Sequence, residues 1–136
     1  MKSGAGGKIR ILLSSDDNIH SGGYYVLAKG LSSAGLEVIL GGALTPREIA
    51  EVAIQEDVNL IGYRIMCADP LALTRKLCSL LGKEKKNPIP VIVGGIIPQT
   101  QIPELKKLGI YEVFGTGSSL PSIVKAIQQL FKEKSS

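Results

Sequence analysis

Residues 14–23, SSDDNIHSGG, hold paired aspartates, an amide and the single histidine of the chain, and they end in two glycines. A neutral imidazole is a common metal ligand through one nitrogen, while a neighbouring acceptor orients the other. Asn18, two residues before His20, carries an amide oxygen able to serve as that acceptor. Nucleophilic catalysis fits less well, because no serine or cysteine has an evident spacing to His20. A metal held by protein ligands alone is also disfavoured, since there is no second histidine. The bland reading is a solvated loop histidine, and only its position in the fold decides between the two.

Two glycine-rich stretches raise a similar choice. Gly94-Gly95 directly follows the apolar run 89–93 and either makes a turn needing positive φ or leaves backbone bare against a flat group. Gly115-Thr116-Gly117-Ser118 repeats the theme before the last helical segment, whose N-terminus can accept polar or anionic atoms.

The elements that must position these residues are legible in the hydrophobic pattern. Apolar runs occur at residues 9–13, 36–40, 58–63, 89–93 and 111–114. Most are apolar at consecutive positions, as parallel strands covered on both faces require. Helical spacing separates them. Tyr24, Leu27, Ala28 and Leu31 share a face that Gly35 ends. Thr45-Pro46-Arg47-Glu48 reads as a capping box with proline at the first helical position. Asp69-Pro70 opens a third helix with Leu73, Leu77, Leu80 and Leu81 inward. Ile102, Leu105 and Leu108 form a short fourth, ended by Gly109. Ser119 caps a fifth, with Ile123, Val124, Ile127, Leu130 and Phe131 facing the core.

Strand–helix repeats with no second composition zone predict the α/β class: a single flavodoxin-like, doubly wound parallel sheet of five strands in order 2-1-3-4-5. Residues 1–7 read as a flexible N-terminal segment and residues 8–134 as the domain. Ligands of such sheets sit beyond the carboxyl ends of the strands, where strand order reverses between the first and third. His20 falls in that region.

Composition narrows the function classes. The 136 residues are 44% hydrophobic and 21% charged. No segment reaches the roughly 20 apolar residues that span a bilayer, and the N-terminal residues lack the apolar centre of a signal peptide. Two cysteines without a secretory signal suggest a reducing, cytoplasmic setting. Cys67 is expected to be a small buried thiol. The net charge of +4 comes from lysines near predicted helix ends with no interleaved aromatic rings. That argues against a nucleic-acid surface. A bacterial receiver domain would share the fold and the paired acids. It would also need an aspartate ending the third strand and a lysine after the fifth; Asp69 lies beyond the strand and residues 115–119 hold no lysine.

Taken together, the loops resemble the cobalamin-binding domain of methylmalonyl-CoA mutase and the separate small subunits of related acyl-CoA mutases. The similarity runs from Lys8 to Phe131 and is strongest in LTPREIAEVAIQEDVNLIG and VIVGGIIPQTQIPELKKLGIYEVFGTGSSL. The family's Asp-x-His-x-x-Gly falls on residues 18–23, its Ser-x-Leu on Arg64-Ile65-Met66, and its Gly-Gly on Gly94-Gly95. The resemblance implies adenosylcobalamin as cofactor, with its dimethylbenzimidazole base displaced from cobalt and His20 as lower axial ligand. The nucleotide tail would enter a slot beside the sheet. Gly23 would permit close approach, Gly94 and Gly95 would face the base, Met66 would stand at the family's leucine position, and Phe114, Gly115, Gly117 and Ser118 would close the slot. The chain would be the cofactor-binding, non-catalytic subunit of an isomerase, pairing with a large subunit that carries the acyl-CoA-binding barrel, or with a second copy of itself.

Two positions depart from the family. Asn18 replaces the aspartate that orients the histidine, giving a less electron-rich imidazole. Arg64 replaces a serine of the slot with a permanent cation that donates and never accepts. It could reach the tail phosphate, pair with Asp16, Asp17 or Asp69, or fill the slot and exclude the tail. In the last case the protein would be a sensor, carrier or interaction module on the same fold.

Overall fold

A run of β-branched and aliphatic residues buried on both sides is stable only where helices cover both faces, and the strands follow that rule. The structure, a computed structural model, describes residues 8–19, 21–84 and 89–135. Residues 1–7 and His20 lie outside the described residues. Strands β1 (Arg10–Ser15), β2 (Glu37–Ala43), β3 (Leu60–Ile65), β4 (Val91–Gly95) and β5 (Glu112–Phe114) pair in parallel, in the predicted order β2-β1-β3-β4-β5. Helices α1 (Ser21–Ser33), α2 (Pro46–Gln55), α3 (Pro70–Glu84), α4 (Ile102–Lys107) and α5 (Leu120–Ser135) alternate with them, and a short 3-10 turn, Gln99–Gln101, precedes α4.

Period-two alternation sorts the core into two layers. Leu12, Ile61, Tyr63, Val91 and Val93 face Ile49, Ala53, Leu77, Leu81 and Leu105 of α2, α3 and α4. Ile11, Leu13, Leu60 and Ile92 face Tyr24, Ala28, Leu31, Ile127 and Leu130 of α1 and α5. Of the expected inward leucines of α3, Leu77 and Leu81 are buried, whereas Leu73 and Leu80 pack at the edge of the layer. β2 is an edge strand, so its apolar run is only partly covered and Leu40 is 54% exposed.

The strands run further toward their carboxyl ends than the apolar runs indicate. Arg64 pairs with Gly94 and Ile65 with Gly95, so these residues belong to strands rather than to loops. Backbone pairing is indifferent to side-chain polarity, and a neighbouring ladder carries polar and glycine residues into the sheet. Ser14 and Ser15 extend β1 in the same way, after a register shift beside Gly41 of β2. The Tyr24 hydroxyl secures that irregularity, donating to the Leu13 carbonyl at 2.6 Å and accepting from the Gly42 N–H at 3.0 Å.

Helix ends follow local chemistry. Gly35, at φ 101°, closes α1. The Thr45 hydroxyl accepts from the Glu48 N–H at 3.2 Å while the Glu48 carboxylate accepts from the Thr45 N–H at 2.9 Å. Removing that reciprocal cap with Thr45→Ala is expected to cost about 1 kcal/mol. The check is a lower urea midpoint with an unchanged denaturant slope.

Candidate functional site

On the face covered by α1 and α5, side chains are missing where neighbouring strands would otherwise fill the layer. Leu60, Gly62 and Arg64 project to this face from β3, and Ile92 and Gly94 from β4. The hollow opens as a cavity of about 600 Å³, within the roughly 300–1,000 Å³ typical of small-molecule sites. Leu13, Gly62, Ile92 and Gly94 floor it; Val26, Leu27 and Leu31 of α1 and Leu120 and Ile123 of α5 wall it; Phe114 and residues 115–118 border its β5 end. It lies at the carboxyl edge of the sheet, beside the strands between which the order reverses.

The two glycines of β4 have different reasons to be glycine. Gly95 has φ 110°, and a Cβ there would lie 2.3 Å from the Ile65 carbonyl oxygen. Its backbone alone demands glycine. Gly94 has no such φ; a Cβ there would meet the Phe114 carbonyl oxygen at 3.3 Å and narrow the cavity. The bare-backbone reading therefore belongs to Gly94.

Carboxylates tie the loops at the mouth. Asp16 accepts three consecutive backbone N–H bonds, from Met66 at 2.8 Å, Cys67 at 2.8 Å and Ala68 at 2.7 Å. Its own N–H donates to the Arg64 carbonyl at 3.1 Å. Asp69 accepts from the Ala72 N–H at 3.3 Å and from the Gln101 side-chain amide at 2.9 Å. The β3–α3 loop is thus fastened on both sides, which holds Met66 in the cavity wall.

The sequence-predicted residues divide accordingly. Gly23, Arg64, Met66, Gly94, Gly95, Phe114, Gly115, Gly117 and Ser118 all border the cavity. Asn18 is exposed and does not border it, and His20 lies outside the described residues. The cavity is open with the Arg64 guanidinium at its border. That group lies over Gly23 of α1, where a Cβ would come 2.4 Å from Nη2. Cys67 is exposed rather than buried, because the Asp16 bonds hold residues 66–68 at the surface. Sequence reasoning passed over Gly62 and the lining residues Val26 and Leu120, and read Ile123 only as core-facing. An isolated glycine inside an apolar strand was the available signal for Gly62.

The B12 binding domain model matches residues 10–124. The chain belongs to the B12-binding domain family. It is 33% identical to the small subunit of 2-hydroxyisobutanoyl-CoA mutase of Aquincola tertiaricarbonis, over 90% of this chain and 91% of that protein. It is 35% identical to methylmalonyl-CoA mutase of Cereibacter sphaeroides over 84% of this chain, but spans only 16% of that relative's length. Among solved structures, a cobalamin-binding protein from Desulfitobacterium hafniense superposes with a TM-score of 0.73 at 20% identity, over 90% of this chain and 58% of that one. The receiver domain of NarL from Mycobacterium tuberculosis gives 0.73 at 16% identity, over 92% of this chain and 97% of that one. The fold is common to both groups. What separates this B12-binding domain from receivers is the carboxyl edge, where β3 ends in Arg64-Ile65 and residues 115–119 hold no lysine.

The Cys67 thiol donates to an Asp17 carboxylate oxygen at 2.6 Å. That bond is the largest cause raising the thiol to about 11, followed by partial desolvation and the charges of Asp17 and Asp16. A raised value keeps the thiol protonated at neutral pH and makes it a poor nucleophile. In a Cys78→Ala background, iodoacetamide labelling of Cys67 is expected to stay slow at pH 8 and to rise toward pH 11. Asp17→Ala is expected to move that rise to lower pH. Asp16→Ala should speed amide hydrogen exchange at residues 66–68 in particular, since it removes the acceptor of all three N–H groups.

Proposed function

We propose that residues 8–134 form the cobalamin-binding module of an acyl-CoA mutase, with adenosylcobalamin as cofactor and His20 as its lower axial cobalt ligand. The observation that carries the reading is the apolar cavity bordered by Gly62 and Gly94 at the carboxyl edge of the sheet. Family membership and the mutase small subunit among the relatives support it.

The residues present suit such a ligand. A flat aromatic base needs an apolar slot with backbone in place of a side chain, and Gly94 supplies one beside Leu13 and Ile92. His20 would donate an imidazole lone pair to cobalt, with the Asn18 amide oxygen accepting from its other ring nitrogen. Gly115, Gly117 and Ser118 would close the slot at the β5 end. When bound, the cofactor supplies cobalt–carbon bond homolysis for a radical rearrangement, chemistry that the protein positions and shields rather than performs. An acyl-CoA-binding barrel on a large mutase subunit would supply the substrate contacts. We place the protein in the cytoplasm; no described helix is long and apolar enough to cross a membrane.

Titration with hydroxocobalamin is expected to give a saturable absorbance change. His20→Ala should abolish the ligand-exchange part of it. With isotope-labelled histidine, the hyperfine pattern of the reduced cobalt centre should change from that of the unlabelled protein. An unaltered pattern means that no protein imidazole is on the metal. Isomerase activity is expected only when the large subunit and adenosylcobalamin are both added.

A further inference from the structure

Arg64 is the position at which this chain departs most from the family pattern, and the structure gives it a defined setting. Alternation along β3 points it to the α1/α5 face, on the same side as Gly62 and directly paired with Gly94. From there the side chain crosses to α1, and Gly23 is what admits it: any Cβ at that position would overlap the guanidinium. Gly23 and the tip of the Arg64 side chain thus lie in close approach at the border of the cavity.

The guanidinium borders an otherwise apolar slot. Among the described residues that line the cavity, Arg64 is the only one with a charged side chain. A low-dielectric pocket with one cation at its edge favours a ligand with a flat apolar body and a single anionic group. Guanidinium matches phosphate oxygens in particular, through paired N–H donors. The nucleotide tail of cobalamin has this make-up: an aromatic base joined through a sugar to one phosphodiester.

We propose that Arg64, seated on Gly23, is a specificity-determining residue that binds the tail phosphodiester, so that the protein selects corrinoids with a complete nucleotide tail over tail-less ones. This rests on the cobalamin reading above and adds to it the chemical feature that is recognised.

The test compares hydroxocobalamin with cobinamide, a corrinoid that lacks the nucleotide and its phosphate. Wild type, Arg64→Gln, Arg64→Ser and Gly23→Ala are each titrated with both, and circular dichroism confirms that the variants fold. Losing a charge-assisted contact is expected to weaken hydroxocobalamin binding by about 10- to 100-fold in both Arg64 variants. Cobinamide affinity should be unchanged. Wild-type affinity for hydroxocobalamin should fall with added salt, and that dependence should be much reduced in Arg64→Gln. Gly23→Ala, which only displaces the guanidinium tip, should weaken hydroxocobalamin binding less than either Arg64 variant, and in the Arg64→Gln background it should add little. Equal or tighter hydroxocobalamin binding by the Arg64 variants overturns the proposal, as does equal weakening for both corrinoids. In either case the cobalamin reading survives. If wild type binds neither corrinoid, that reading falls too, and the proposal with it.

Discussion

A parallel sheet covered by helices on both faces has no room for a ligand unless side chains are withheld from one face. In this protein Gly94 leaves backbone bare at the cavity, whereas the place of a side chain at Gly62, on the adjacent strand, is taken by Leu13 and Ile11. Ile11, Leu13, Leu60 and Ile92 keep that layer packed toward the amino ends of the strands, while the carboxyl ends open into the cavity. The opposite face, with Leu12, Ile61, Tyr63, Val91 and Val93, is filled throughout. Both layers are packed cores, and one of them also opens into the cavity at its carboxyl end. Because both share the same strands, the hollow is held rigid by a core it does not interrupt.

The edge of that hollow is set by electrostatics of short range. Three N–H groups in a row would repel one another's dipoles if turned together toward solvent without an acceptor; the Asp16 carboxylate gives them a common one. The result is a β3–α3 loop with a fixed path, which places Met66 at the cavity and Cys67 beside Asp17. The second family departure behaves in the same cooperative way. Arg64 is bulky only on paper, since the absent side chain of Gly23 leaves a berth for its guanidinium on α1 and the slot stays open.

The likeness to receiver domains shows how little the architecture alone says about chemistry. Both groups of structures share sheet order and helix placement. The difference lies in a few side chains at the carboxyl edge, where β3 ends in Arg64-Ile65 and residues 115–119 hold no lysine.

Much of this was legible in the linear sequence. Consecutive apolar runs indicated the parallel sheet, Thr45-Pro46-Arg47-Glu48 the start of α2, and Gly35 and Gly109 helix ends, because these signals depend on residues within one turn or one strand; the strand order came from the arrangement common to five strand–helix repeats. The motif residues Gly23, Arg64, Met66, Gly94 and Phe114 were also found in advance. Arg64 and Gly94 lie within strands rather than after them, since strand ends depend on what the neighbouring strand does. Tertiary structure alone decided that Gly95 serves its own backbone while Gly94 serves the cavity, that Cys67 is exposed, and that Arg64 rests on Gly23. Each of those outcomes depends on atoms far apart in sequence meeting across strands or between sheet and helix, and no local pattern encodes such distances.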